Sequence, residues 1–343
     1  MEIRREIKGF KHSSGKNCGS TSVWNVSKFY GNPHQEHNIF GLAAGMLFFY
    51  GTFGAAPKSI GGRNPTLVED FFDDIDLEKK WESHEKFPKQ KIKEFIENNI
   101  PVLARTDLYY LSYYGKGRIH FPGHEIVIFG YIEDDKNGTT KFIVSDSSFD
   151  EPQIATEEEL SAAMNPAEVS IPLFPLENYI MPVEEFKVKF ERENILKALN
   201  KVHTRMAQLD TPFMGLGGLR TFSEDVKNWF DLKDSWWVFR FAYQVIERRG
   251  TGGGSFRYMF SDFLKDAAQK FTGRTKKNIQ KVSEMIFDSA NTWRELAYIF
   301  KEISEKLKEG ASIDQDQKNK ISELAKNIYQ KESEAFILLQ KVL

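Results

Sequence analysis

Cys18 is the single cysteine among 343 residues, and it stands where a loop gives way to a helix. Turn-forming Ser13, Ser14, Gly15 and Asn17 precede it. Val23, Val26, Phe29 and Tyr30 follow at helical spacing until Gly31 ends the run. A thiol in the first turn of a helix faces unpaired backbone N–H groups and the positive end of the helix dipole, and both favour thiolate. Thiolate is the nucleophilic form, so this position suits covalent catalysis. A free cysteine is also a small apolar core residue, and a partner base decides between the two.

Of the seven histidines, His124 opens the clearest strand, His124-Glu125-Ile126-Val127-Ile128-Phe129-Gly130-Tyr131-Ile132. A turn over 134–138 with Asn137-Gly138 at its tip returns the chain through Lys141–Ser145 to Asp146, forming an antiparallel hairpin. Turn geometry sets Ile132 opposite Ile143 and His124 opposite Glu151, and an earlier turn or a bulge would bring His124 closer to Asp146. A Cys/His/Asp arrangement needs a base within about 3 Å of the thiol and a carboxylate orienting the imidazole. The alternative is a strand-end histidine and an Asx-turn at Asp146-Ser147-Ser148.

Elsewhere the pattern gives a helix over 35–49, a Gly/Pro-punctuated loop over 51–64, a helix over 89–98 and a strand over 100–104. Thr156 with Glu159 is a capping box. Beyond Pro182 the chain reads as helices near 191–209, 219–230, 236–248 and 256–271, then from 274 and from 315. Breaks are expected at Gly215-Leu216-Gly217-Gly218 and Gly250-Thr251-Gly252-Gly253-Gly254. The expected division is a catalytic α+β domain over 1–180 and an all-α helical domain over 181–343, with the junction in the Pro172–Pro182 stretch.

Composition excludes several classes. A net charge of −2 gives no global basic field for nucleic acid or a membrane surface. One cysteine excludes an intramolecular disulfide and a Cys-rich zinc site. His120 and His124 flank Pro122-Gly123 and so do not share a helix face, and His34/His37, at a polar helix start, lack a further ligand cluster, so no metal is expected. The start of the chain lacks the apolar run of a signal peptide, and Ile39–Gly54 is too short and Gly-rich to span a bilayer, so a cytoplasmic location is expected. The aromatic run Trp236, Trp237, Phe239 and Phe241 fits a buried helix or a homo-oligomer interface.

Several runs carry a family resemblance. Asn17-Cys18-Gly19-x-Thr21, Tyr30-Gly31, Phe40-Gly41-Leu42, Gly45, Gly123-His124-Glu125-Ile126-Val127-Ile128-x-Gly130-Tyr131 and Val144-Ser145-Asp146 resemble the N-terminal domain of the butirosin biosynthesis acyltransferase family. More distantly they are similar to bacteriocin-leader cysteine peptidases of papain-like fold. Gly215-Leu216-Gly217-Gly218-Leu219-Arg220, Asp225-Val226-x-Asn228-Trp229 and Gly250-Thr251-Gly252-Gly253-Gly254-x-Phe256-Arg257 resemble the helical domain that often follows it.

The resemblance implies a papain-like α+β fold followed by helices, and an acyl transfer without ATP. The donor is a thioester on the phosphopantetheine arm of an acyl or peptidyl carrier protein, and the acceptor is a small amine. Cys18 would be nucleophile, His124 base then acid, and Asp146 the orienting carboxylate. No cofactor beyond the carrier's arm is implied. The chain is also similar in kind to the papain-like amide synthase of polythioamide (closthioamide-type) biosynthesis. Two positions depart from the pattern. Asn17 replaces a histidine frequent before the cysteine, and no Gln precedes Cys18, so the Asn17 amide or the Cys18 N–H is the candidate oxyanion donor. Arg248 and Arg249, beside the glycine loop, are candidates to meet the acidic carrier or its phosphate. The competing readings are a cysteine peptidase or amidase, and a non-catalytic protein that holds a peptide or carrier.

Overall fold

The computed structural model describes residues 2–52, 56–134, 138–167 and 175–343. In chain order the first elements are β1 (Glu2–Glu6), α1 (Cys18–Phe29), α2 (Glu36–Leu42), β2 (Met46–Gly51), β3 (Ser59–Arg63) and α3 (Leu67–Asp74). Next come α4 (Lys89–Glu97), β4 (Val102–Thr106), β5 (His124–Asp134), β6 (Thr139–Ser145), β7 (Gln153–Thr156), α5 (Glu157–Met164) and β8 (Ile180–Pro182). Helices follow: α6 (Arg192–Met206), α7 (Gly215–Asp225), α8 (Ser235–Glu247), α9 (Arg257–Ala268), α10 (Gly273–Lys308) and α11 (Gln315–Gln340). The class is α+β, an antiparallel sheet in the first half and helices in the second. No helix among the described residues is long and apolar enough to cross a membrane.

Two compact units divide the chain: Met1–Ile39 with Asp76–Val188, and Phe40–Ile75 with Lys189–Leu343. A linear division at 180/181 therefore misses that Phe40–Ile75 packs with the helical half. The reason is local. Periodicity carries a helix through Phe49, but α2 stops at Leu42 because Ala44 takes a left-handed φ of 46°. A side chain at Gly45 would also strike the Phe40 ring. Met46-Leu47-Phe48-Phe49-Tyr50 then becomes strand β2 and pairs with β3, inside the stretch expected to be loop. Gly215, Gly217 and Gly218 do not break a helix either. They form the first turn of α7, where a Cβ would lie 2.4–2.8 Å from backbone atoms of Met206, Thr211 and Phe213. Small residues there let the turn pack against backbone. In α8, Phe239 and Phe241 are buried while Trp236 and Trp237 are half-buried.

The first unit is built on the sheet β7-β6-β5-β4-β8, with β1 pairing to the far half of β5. β5 is the spine, and its near-continuous apolar run follows from cover on both faces. Ile126, Ile128, Val102 and Ala104 form one core with Ile92 and Ile96 of α4 and with Leu160 and Ala163 of α5. Strands β1, β7 and β8 are absent from the sequence expectation.

The β5–β6 hairpin has a different register from the one expected. Ile132 faces Lys141, not Ile143, and the pairing slips by one between Ile128 and Gly130, so that Val127 faces Ser145. Carried beyond the end of β6, that register would set His124 opposite position 148 in place of 151. An earlier turn and a bulge together bring Asp146 near His124. Asn137, at the expected tip, lies outside the described residues, as does Pro172 at the expected junction.

Candidate active site

Helix α1 begins at Cys18 because Asn17 caps it. Asn17 is extended, and its Oδ1 accepts from the Ser20 N–H at 3.2 Å. Its carbonyl accepts from Thr21 N at 2.8 Å. The thiol is thereby fixed in the first turn. It is buried, with 7% exposure, and its Sγ lies 3.8 Å from the carbonyl oxygen of Gly123, the residue before His124.

A second anchor comes from Glu36, at the start of α2 and itself buried. Its Oε1 accepts from Asn17 N at 2.9 Å, Ser20 Oγ at 2.8 Å and Thr21 Oγ1 at 2.9 Å, and its Oε2 accepts from Lys16 N at 2.9 Å. This is a capping box whose acid arrives from another helix, because position N3 of α1 is Ser20 and carries no carboxylate. Gly15 makes room for it: a Cβ there would sit 2.1 Å from Thr21 Oγ1 and 2.9 Å from Glu36 Oε2. In sequence, Glu36 is marked only by its place at the start of the helix expected over 35–49. No spacing rule links Glu36 to a loop some twenty residues earlier.

His124 leads β5 with 3% exposure. Its Nε2 lies 2.7 Å from Asp146 Oδ2, and its side chain also bonds Cys18. With Nε2 committed to the carboxylate, Nδ1 is the ring nitrogen left for the thiol. Burial works against the imidazolium. The charge and hydrogen bond of Asp146, then those of Cys18, outweigh it and push His124 up to about 10. Burial works against the Asp146 carboxylate too, but His124, the Ser148 N–H and Tyr114 hold it below the usual range. Asp146 is fully buried. The end of β6 beside it is held by His12, whose ring nitrogens lie 2.7 Å from Ser145 Oγ and 2.9 Å from the Phe149 carbonyl. Asn25 Nδ2 also donates to Ser145 Oγ, at 3.2 Å.

The structure thus brings Cys18, His124 and Asp146 together. Asn17 lies beside them, with its side-chain oxygen engaged as the cap and its N–H given to Glu36. Tyr113 and Tyr114, which the sequence did not single out, both donate to Asp146: Tyr113 Oη to Oδ2 at 3.0 Å, and Tyr114 Oη to Oδ1 at 2.9 Å and Oδ2 at 3.1 Å. Their only signal in sequence is the density of tyrosines in Tyr109-Tyr110-x-x-Tyr113-Tyr114.

Other candidates lie elsewhere. His120 Nδ1 is 2.8 Å from the buried Asp107 carboxylate, with its ring stacked on Tyr109 at 4.0 Å. Among the described residues no group of three or more His, Cys, Asp or Glu is placed to hold a metal. Arg248 and Arg249 follow α8 in the second unit. Arg248 is exposed, whereas Arg249 donates from Nε and Nη2 to Gln244 Oε1 and lies over the Phe241 ring.

A buried thiol at a helix start, an imidazole and a carboxylate thus meet on an α+β scaffold. Residues 17–147 match the family model butirosin biosynthesis protein H, N-terminal. Residues 162–339, over half the chain, match a domain of unknown function, DUF4872, and the chain belongs to that family, carrying the butirosin biosynthesis protein H-type N-terminal region ahead of it. A comparison with curated proteins finds no match.

Proposed function

We propose that the protein is a biosynthetic cysteine acyltransferase of papain-like type. It takes an acyl group from a carrier-protein thioester onto Cys18 and passes it to an amine, forming an amide. The observation that carries this reading is His124, held by Asp146 through Nε2 while its other edge meets the Cys18 thiol. Butirosin biosynthesis protein H, which the N-terminal half resembles, points to the making of a small molecule.

The site's chemistry closes in two half-reactions. The Cys18 thiolate attacks the thioester carbonyl, and the carrier's thiol leaves with the proton of the His124 imidazolium. This gives acyl-Cys18 and neutral His124. The neutral amine then attacks the acyl carbon, His124 takes the amine proton, and the C–S bond breaks to restore thiolate and imidazolium. Asp146 holds the ring in one tautomer throughout. The Cys18 N–H and the Asn17 amide are the donors proposed for the oxyanion. A thioester is already activated, so neither nucleotide nor metal is needed. Arg248, exposed after α8, is the residue of its pair proposed to meet an acidic carrier, since Arg249 is engaged by Gln244.

Intact-protein mass spectrometry tests the reading. The full-length chain is mixed with an acyl thioester, and a panel of amines follows. The expected result is an acyl adduct on Cys18 that is absent in Cys18→Ala and discharged faster by an amine than by buffer. Discharge by water at the same rate makes the protein a hydrolase. No adduct, with Cys18 alkylating no faster than a free thiol, leaves a binding protein.

A further inference from the structure

We infer that Tyr114, backed by Tyr113, is a positioning residue that disperses the charge of Asp146 and so sets how tightly His124 keeps the proton it must hand to the leaving thiol. The inference rests on Cys18 and His124 being the reactive pair.

Both hydroxyls come from one 3-10 turn, Ser112–Tyr114, in the loop between β4 and β5. The Tyr114 Oη reaches both Asp146 oxygens, at 2.9 and 3.1 Å, and lies 3.0 Å from Ser148 Oγ and 3.2 Å from His124 Nε2. Tyr113 Oη adds a bond to Oδ2 at 3.0 Å, and Ser148 N one to Oδ1 at 3.1 Å. The Tyr114 ring stands edge-on to the imidazole at 85° and to Phe149 at 72°, so the phenol has little freedom to swing away. Burial first, and then the Asp146 charge, hold both phenols well above the ordinary tyrosine range, so both remain donors.

A carboxylate in water has its charge spread by solvent. Asp146 is fully buried, and the two phenols and the Ser148 N–H take that role. Each donor weakens the pull of Asp146 on the imidazole proton. Too strong a pull would leave His124 unable to give its proton to the departing thiol. Too weak a pull would leave the thiolate without a partner.

The groups facing this network come from several elements. They are Cys18 of α1, Asp146 and Ser148 after β6, the two tyrosines themselves, and Glu159 of α5, which acts on Tyr113. Glu125, next to His124 on β5, lies on the other face of the sheet and pairs with Arg105 at 3.6 Å.

The test is the pH dependence of Cys18 alkylation by iodoacetamide in the full-length chain. A thiolate–imidazolium pair gives two inflections, one as the thiolate forms and a second as the imidazolium loses its proton. Tyr114→Phe keeps the ring and removes the donor. It should move the two inflections apart, the upper one by about half a pH unit, a threefold change in proton affinity, and slow acylation several-fold at unchanged KM. Tyr113→Phe should do the same to a smaller extent. A fluorotyrosine at 114, a stronger donor of nearly the same shape, should move the inflections toward each other. That sign reversal is one a merely structural tyrosine would not produce. Curves for all three that superimpose on the unaltered protein would overturn the inference. If the unaltered protein itself shows one ordinary thiol titration, the reactive-pair reading fails, and that failure is distinguishable from the first. If Tyr114→Phe does not fold, the fluorotyrosine and Tyr113→Phe curves decide.

Discussion

In each unit a buried ion pair has a carboxylate crowded by donors, yet the two pairs are suited to opposite tasks. In the helical unit, Glu332 accepts from Arg257 Nε and Nη2, both at 2.9 Å, and from Ser289 Oγ at 2.7 Å and Trp293 Nε1 at 3.0 Å. Arg257 spends its other nitrogen on the Ser255 and Leu47 carbonyls. Both charged side chains are fully buried. In the first unit, Asp146 is equally crowded, but its cation is an imidazole whose second nitrogen meets a thiol. Arginine does not release a proton in a protein, and histidine does. A saturated carboxylate is thus suited to be a clasp or, on the proposed function, a catalytic device, according to the cation it faces and whether that cation keeps one edge for chemistry.

The sharpest way to break the comparison is to remove the two carboxylates in turn. Asp146→Asn should lower the rate of Cys18 acylation by about 10³- to 10⁴-fold, because the ring loses its fixed tautomer. Stability should fall by about 1–3 kcal/mol as the donors of Tyr113, Tyr114 and Ser148 face an amide, less than in the helical pair because His124 can shed its proton. Glu332→Gln should do the reverse: a loss of about 3–5 kcal/mol of stability, since Arg257 is left buried without its counter-charge. The acylation rate per folded molecule should be nearly unchanged. Chemical denaturation and single-turnover mass spectrometry on the same two variants check both. If Glu332→Gln removes activity without destabilising, the helical pair is not a clasp.

Glu36 tests the comparison at a smaller scale, being a crowded carboxylate held by backbone N–H groups and hydroxyls, with Lys28 acting on it through its charge. Four donors converge on it, and Glu36→Gln turns half of its acceptors into a donor facing donors. The expected cost is about 1–3 kcal/mol, with acylation slowed several-fold as the loop before Cys18 loosens. The upper inflection of Cys18 alkylation should stay in place. That would separate Glu36, placed to position the proposed nucleophile, from Tyr114, proposed to act on the base.

What the sequence disclosed of this site was whatever depended on neighbours along the chain. Asn17 reads as a turn residue and Cys18 as the helix start because both follow from a few consecutive residues. The β-branched run after His124 reads as a strand, and Thr156 with Glu159 as a capping box, for the same reason. What stayed hidden depends on closure through space. The pairing of His124 with Asp146 needed a one-residue slip at Ile128/Gly130, which no periodicity encodes. Tyr113, Tyr114 and Glu36 sit in loops or at helix ends, far in sequence from what they touch. Met46–Gly51 carries a helix-compatible pattern, and Ala44 in a left-handed conformation redirects it to strand. The membership of Phe40–Ile75 in the helical unit was invisible for the same reason.

The smallest effect is a slope of stability against pH, and it separates the two pairs by sign. His124 has a folded value raised from 6.5 to about 10, so its contribution is fully present below 6.5 and is lost as pH rises through 10. A thiolate at Cys18 has the opposite sign: its contribution is present above the ordinary cysteine value of about 8.5 and fades as pH falls. On the proposed thiolate–imidazolium pair, the folded site between about 6.5 and 8.5 would hold one proton on His124 and the unfolded chain one on the thiol, so the two slopes would cancel. Stability should therefore be flat in that window and should decline above it, by at most about 1.4 kcal/mol per pH unit. Cys18→Ala removes the thiol's share, and its decline should begin near 6.5, while Asp146→Asn should flatten the alkaline slope. Glu332→Gln should shift the whole curve down without changing its shape, because an arginine–glutamate pair exchanges no proton there. Urea denaturation at intervals from pH 6 to 10 reads all four curves. An unaltered protein whose stability already declines from 6.5 would show that Cys18 keeps its proton in the folded state, and the first pair would then be a clasp like the second.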